Sequence, residues 1–185
     1  MKKQPEVTEN TKRKILDAFW KLFKNQPIEK ITIFSLSNEA CIHRSSFYRY
    51  FADIYQVLEV FQEDLLFDIK KKIDSIQDNT YVTLPKYAEK ISNLLIHFSD
   101  KIYRLLNYKE SDFREKFIKT ITPNVEKYLP LEQYNQHSEY ITSFIISTII
   151  FNFTFWYENR ERYELQNLIG LGQSIILNGI EIIQK

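Results

Sequence analysis

The sequence predicts an all-α protein, and three observations carry that prediction. The chain of 185 residues holds only three glycines, Gly170, Gly172 and Gly179, all within one short stretch near the C-terminus. β-Sandwiches, barrels and nucleotide-binding α/β folds need glycine in their turns and loops, and glycine-rich phosphate loops need it above all. Apolar residues recur at helical spacing through most of the chain, and each of the five prolines stands near a break between periodic segments.

The first helix is marked by Ile15, Leu16, Phe19, Leu22 and Phe23, with Thr8 or Thr11 as its cap and Asn25-Gln26-Pro27 as its end. Thr32 then caps a short helix that turns Ile33, Leu36 and Ala40 inward. Cys41-Ile42-His43 is a tight connection to a second short helical segment, Arg44 to Phe51. Two short helices joined by about three residues and packed on a longer first helix form a helix-turn-helix.

A long helix over 53–76 follows, striped by Ile54, Val57, Leu58, Phe61, Leu65, Ile69, Ile73 and Ile76, with Lys70-Lys71-Lys72 as a solvated surface. Gln77-Asp78-Asn79-Thr80 interrupts the chain. Pro85 opens a helix running to about Leu106, and Asp112 to Lys127 forms a shorter one, bounded by Pro123 or Pro130. Residues 140–157 carry no charge, which reaches the lower limit for a membrane span. Their Thr, Ser and Asn content favours instead a helix buried on several sides of a bundle. The last helix runs over about 161–183.

Charge is uneven although the net value is only +1. Residues 1–50 hold ten Lys and Arg against five Asp and Glu, residues 51–80 hold three against seven, and the remainder balances. A basic N-terminal module on a neutral remainder points to an anionic partner for the first part alone. The single cysteine, Cys41, excludes an internal disulfide framework and a thiolate zinc site. It reads as a small buried residue. No apolar signal core follows the cationic N-terminus, so a cytoplasmic protein is expected. Neither a nucleophile–base constellation nor a metal-ligand spacing is present, so no catalytic residue, metal or cofactor is assigned.

The segment from Lys12 to Leu58, about a quarter of the chain, resembles the DNA-binding domain of the TetR/AcrR family of transcriptional regulators. Ile15-Leu16-Asp17-Ala18 with Leu22-Phe23 is similar to that family's first helix. Ile31-Thr32 with Leu36-Ser37-Asn38-Glu39-Ala40 is similar to its second, and Arg44-Ser45-Ser46-Phe47-Tyr48-Arg49-Tyr50-Phe51 to its recognition helix. Three positions depart from the pattern. Cys41 and Pro27 stand where the family usually has glycine, and Ile54 stands where a phosphate-contacting lysine commonly begins the fourth helix.

The resemblance implies a DNA-binding domain over 8–57 and a helical effector-binding and dimerisation domain over 58–185. The physics of the recognition segment agrees. Arg44 and Arg49 can pair bidentately with guanine, and Ser45 and Ser46 are small enough for close approach to base edges. Tyr48 and Tyr50 have hydroxyls of the length needed to reach phosphates, or else they pack. Thr32 places the N-terminus of the second helix toward phosphate. His43 either touches a phosphate or stays on the turn surface, and Lys12, Arg13 and Lys14 supply non-specific attraction. Phe47 and Phe51 anchor the short helix.

The family also implies an effector pocket, for which the aromatic candidates are Phe98, Tyr103, Phe113, Phe117, Phe151, Phe155 and Trp156; such walls suit a flat or lipophilic compound. Aromatic residues at helical spacing equally form core. Gly172 and Gly179 share a face with Leu168, Ile175, Ile176 and Ile183, which is expected to meet residues 140–157 across a four-helix dimer interface. Gly170 points elsewhere. The expected function is a homodimeric, sequence-specific regulator of a double-stranded operator, a repressor relieved by a small effector, with no membrane partner. The alternative is a helical interaction protein that keeps the fold without specific operator binding.

Overall fold

The computed structural model describes residues 5–77, 84–128 and 137–183, and the side chains of these except 5–7, 77, 84–88, 128, 173 and 176–183. The described residues form helices joined by turns, with no strand among them. Two compact units divide the chain, Met1–Leu65 and Leu66–Lys185, and the division falls inside one long helix.

In the N-terminal unit, α1 (Pro5–Phe23) begins earlier than the threonines suggested, so Thr8 and Thr11 lie within it rather than capping it. It ends where Asn25 Nδ2 donates to the Lys21 carbonyl at 2.9 Å. Pro27, at φ −65°, opens a single 3-10 turn over Ile28–Lys30, so the bend there is made without a positive φ. The helices α2 (Ile33–Glu39) and α3 (Arg44–Phe47) follow, and α4 (Ile54–Gln77) begins at a cap in which Asp53 Oδ1 accepts from the Gln56 backbone at 2.8 Å.

Ile15, Phe19, Phe23, Leu36, Phe47 and Val57 are fully buried and fuse these helices into one core. Phe19 stacks on Phe23 at 5.2 Å and meets Phe61 edge-on at 5.5 Å, while Trp20 stacks on Phe61 at 5.8 Å. The N-terminal stretch of α4 thereby holds α1 in place.

The C-terminal unit contains the rest of α4 with α5 (Leu84–His97), α6 (Ser99–Leu106), α7 (Phe113–Tyr128), α8 (Ser138–Glu158) and α9 (Leu165–Ile183). Pro85 stands in the first turn of α5, as a missing N–H allows. The helix expected to reach Leu106 turns at Phe98, whose φ of −104° and ψ of 9° separate α5 from α6. Pro123 does not bound α7 but lies inside it. Pro130, and residues 78–80 of the expected interruption, lie outside the described residues.

α8 packs against α7 and α9, and α5 packs against α9. Ile102, Leu105, Phe113, Phe117, Ile150 and Phe153 form the centre of this core.

The helix α8, which carries the uncharged segment 140–157, is not buried on several sides, as the sequence suggested. Only 33% of its most apolar window is buried in the chain. Tyr140, Phe144, Phe151 and Phe155 stand exposed, at spacings that place them along one side. By length and composition it is the one described helix that could cross a membrane. Its inner side carries Ile145, Ile146, Ile150 and Phe153, which is the arrangement of a helix half-covered by its own protein.

Candidate nucleic-acid interface

The helix-turn-helix is built from α2, a four-residue connection (40–43) and α3. Thr32 caps α2 reciprocally: its Oγ1 accepts from the Ser35 backbone N–H, and the Ser35 hydroxyl accepts from the Thr32 backbone N–H, both at 3.0 Å. Leu36 and Ala40 bury the inner side of α2.

The turn is closed by two backbone bonds, from Cys41 N–H to the Asn38 carbonyl at 3.1 Å and from Ile42 N–H to the Ser37 carbonyl at 3.0 Å. Cys41 takes φ 53°, the left-handed conformation that glycine adopts without strain. Contrary to expectation it is exposed, not buried, because that conformation turns its side chain away from the packed faces of α2 and α3.

The recognition segment differs from the expected single helix. Its α-helical part covers only Arg44–Phe47, after which Arg49 N–H bonds the Ser46 carbonyl at 3.3 Å and Tyr50 N–H the Phe47 carbonyl at 2.9 Å. These are tighter three-residue turns. Phe47 and Phe51, 5.9 Å apart, are the buried anchors.

Arg44, Ser45, Tyr48 and Arg49 are exposed, and Ser46 and Tyr50 are half-buried. Tyr48, 60% exposed, meets the Phe47 ring edge-on. His43 is exposed at the N-cap of α3, and its side chain makes no capping bond. Thr32 is exposed at the head of α2. Arg13 and Lys14 are exposed on α1, while Lys12 is half-buried. Ile54 is 8% exposed, so the first position of α4 faces the core and offers no cation.

Sequence reasoning missed one residue here. Phe34 is 56% exposed, and the Arg44 guanidinium lies over its ring at 4.7 Å from the centroid. The available signal was an aromatic residue between the N-cap Thr32 and the first buried residue, Leu36, on a helix too short to bury two faces.

In the C-terminal unit the seven aromatic candidates do not share one environment. Phe98, Phe113, Phe117 and Trp156 are buried in the core, and Tyr103 is half-buried. Phe151 and Phe155 stack on each other at 6.0 Å on the exposed side of α8. Lys72 is not simply solvated: its ammonium lies over the Phe98 ring at 4.8 Å. A cleft of about 410 Å³ lies between α4 and α7, lined by Lys70, Asp74, Lys119, Thr120, Pro123, Asn124 and Lys127. None of the aromatic candidates borders it.

On α9, Leu168 is half-buried, while Leu171 and Ile175 are 59% and 64% exposed. Gly172 has Asn152 of α8 in the same chain so close that a β-carbon would stand 2.7 Å from its Nδ2. The close approach that this glycine permits is therefore within the chain. Nothing lies within 4 Å of the equivalent point at Gly170. The surroundings of Ile176, Gly179 and Ile183 lie outside the described side chains.

No family model matches the chain. Over 159 residues it is 28% identical to an uncharacterized HTH-type transcriptional regulator of Haemophilus influenzae, covering 77% of this chain and 75% of that protein. Among solved structures it is similar to a TetR transcriptional regulator from Streptococcus agalactiae, with a TM-score of 0.69, 20% identity, and 92% of this chain and 96% of that one covered. SmeT, the repressor of the Stenotrophomonas maltophilia multidrug efflux pump SmeDEF, gives a TM-score of 0.70 at 14% identity, with 93% and 91% covered. The fatty acid degradation regulator FadR from Bacillus halodurans gives 0.66 at 18% identity, with 97% and 98% covered. The all-α fold of this chain is that of TetR-type regulators.

Proposed function

We propose that this chain is a cytoplasmic, non-catalytic DNA-binding regulator of transcription, acting as a homodimer whose operator binding is relieved by a small effector. The observation that carries the reading is the division of labour within residues 44–51. Phe47 and Phe51 are sunk in the core, while Arg44 and Ser45 on a one-turn helix, and Tyr48 and Arg49 on the turn that follows it, are left at the surface. Such an element can present a guanidinium to guanine O6 and N7 while tyrosine hydroxyls reach phosphates.

Dimerisation is supported by the apolar residues left bare on α8 and α9: Phe144, Phe151, Leu171 and Ile175. A two-fold dimer reads a pseudo-palindromic site, with half-sites about one helical turn (~34–36 Å) apart or a variant of that spacing. The efflux-pump repressor SmeT, to which the fold is similar, supports a repressor. The effector is assigned to the C-terminal unit by the resemblance alone; the flat or lipophilic class expected from the aromatic residues draws no support from the cleft between α4 and α7, which none of them borders.

The test is a gel-shift titration against the DNA upstream of the protein's own gene, across a salt series and beside random duplex. Retardation preferred over random duplex, with log affinity falling linearly in log salt, is the expected result. Repeating it with candidate metabolites tests relief.

A second reading is favoured by the burial of Ile54, which removes one phosphate contact that TetR-type domains commonly make. On that reading the chain is a helical interaction protein, and the gel shift shows no preference over random duplex.

A further inference from the structure

We propose that Phe34 is a positioning residue for sequence recognition, its ring holding the Arg44 guanidinium where it meets the major groove. The proposal rests on the DNA-binding reading above and adds a determinant that lies on the other helix of the motif.

Phe34 is a large ring left 56% exposed, so the core does not account for it. The only cation over its face is, among the described contacts, Arg44, at 4.7 Å and well inside the ~6 Å range of a cation–π contact. Both ends of the pair stand on backbone that cannot drift. α2 is fixed by the Thr32–Ser35 cap and by buried Leu36, and α3 by buried Phe47. The bond from Ile42 N–H to the Ser37 carbonyl locks the connection between them.

A free arginine has many rotamers, and fixing it on a base lowers affinity by the order lost. A guanidinium resting on an aromatic face keeps its N–H donors in its own plane, available to a guanine edge. Ser45 beside it is small and exposed, so nothing on α3 obstructs that approach. The ring thus pre-orders the side chain that reads sequence, without itself touching a base.

The probe is the duplex that the wild-type protein enriches from a randomised pool, together with its single-base variants. Phe34→Leu removes the π face but keeps an apolar side chain, and Phe34→Trp keeps the face. We expect Phe34→Leu to weaken binding to the enriched duplex by about two- to fivefold. It should blunt discrimination at the same base pair that Arg44→Ala blunts, with binding to random duplex unchanged. Phe34→Trp should restore both.

In DNA-free protein, the Arg44 side-chain protons should show an upfield ring-current shift by NMR that Phe34→Leu abolishes. If Arg44→Ala relaxes one base pair while Phe34→Leu leaves affinity and discrimination intact, the proposal is overturned and the DNA-binding reading stands. Absence of the ring-current shift overturns it as well. If the wild type enriches no sequence, the DNA-binding reading itself has failed and the proposal falls with it.

Discussion

Tyr103 of α6 and Tyr157 of α8 stack with their ring centroids 4.0 Å apart, and each donates its hydroxyl to a carboxylate on the other's helix. Tyr103 reaches Glu158 at 2.9 Å and Tyr157 reaches Asp100 at 2.7 Å, with Arg160 bonding Asp100 at 3.3 Å. Burial first, and then the hydrogen bond to a carboxylate, push both phenols above the ordinary value of 10.0. A phenol whose folded value is raised stabilises the fold fully below its unfolded value and loses that contribution as pH rises through the folded one. Stability should therefore fall as pH climbs past about 10. Unfolding midpoints measured from neutral to alkaline pH should fall less steeply in the Tyr103→Phe/Tyr157→Phe double variant. At neutral pH that variant should be less stable by about 1 kcal/mol per lost bond.

Cys41 holds φ 53° in the helix-turn-helix connection, where a β-carbon crowds the following carbonyl. The left-handed conformation costs a non-glycine residue roughly 1–2 kcal/mol, part of which glycine gives back through its freer unfolded chain. Cys41→Gly should raise stability by about 1 kcal/mol in urea unfolding with an unchanged m-value. Cys41→Val should lower it, since a branched side chain suits this region least.

Ser37 is 1% exposed on α2, and its hydroxyl has no hydrogen-bond partner. A buried hydroxyl without a partner costs about 1–3 kcal/mol, and alanine fills nearly the same volume without it. Ser37→Ala should stabilise the protein by about 1 kcal/mol, read as a higher denaturant midpoint. A lower midpoint would show that the hydroxyl is satisfied in solution.

What could be read in advance followed from how locally each feature is determined. Phe19, Phe23, Leu36 and Phe47 were legible because a buried stripe and short caps are written in consecutive residues. The end of α3 was not legible: Arg44 to Phe51 have one helical pattern, yet the chain tightens after Phe47 to seat Phe51 in the core. Phe34 escaped notice because its partner, Arg44, lies ten residues on, and only the turn brings the two together. The bare side of α8 escaped notice for the opposite reason. Phe151 and Phe153 are the same residue type two positions apart, and only tertiary packing decides which is covered.

The two described glycines of α9 separate by what surrounds them. Gly170 has open space where a β-carbon would stand, so Gly170→Ala should gain about 0.8–1 kcal/mol of helix propensity. At Gly172 a β-carbon would stand 2.7 Å from the Asn152 Nδ2, so Gly172→Leu must displace the Asn152 amide and crowd Thr148 of α8. It should lower the thermal midpoint while Gly170→Ala raises it. A Gly172→Leu variant as stable as wild type would show that the Asn152 amide swings aside and leaves room for the side chain.

Phe144 and Phe151 on α8, with Leu171 and Ile175 on α9, are each more than half exposed. Fully burying such side chains is worth about 1.5–3 kcal/mol apiece, so leaving all four in water forgoes a stabilisation that a second copy can supply. A charge placed among them has to be desolvated on association but costs nothing in a monomer, where the site is already wet. Phe151→Asp should therefore shift sedimentation from dimer to monomer while helicity by circular dichroism stays unchanged. Because a two-fold dimer grips two half-sites at once, the same variant should lose operator affinity without touching Arg44 or Tyr48. A variant that stays dimeric would place the interface elsewhere, and one that loses helicity would assign Phe151 to the fold.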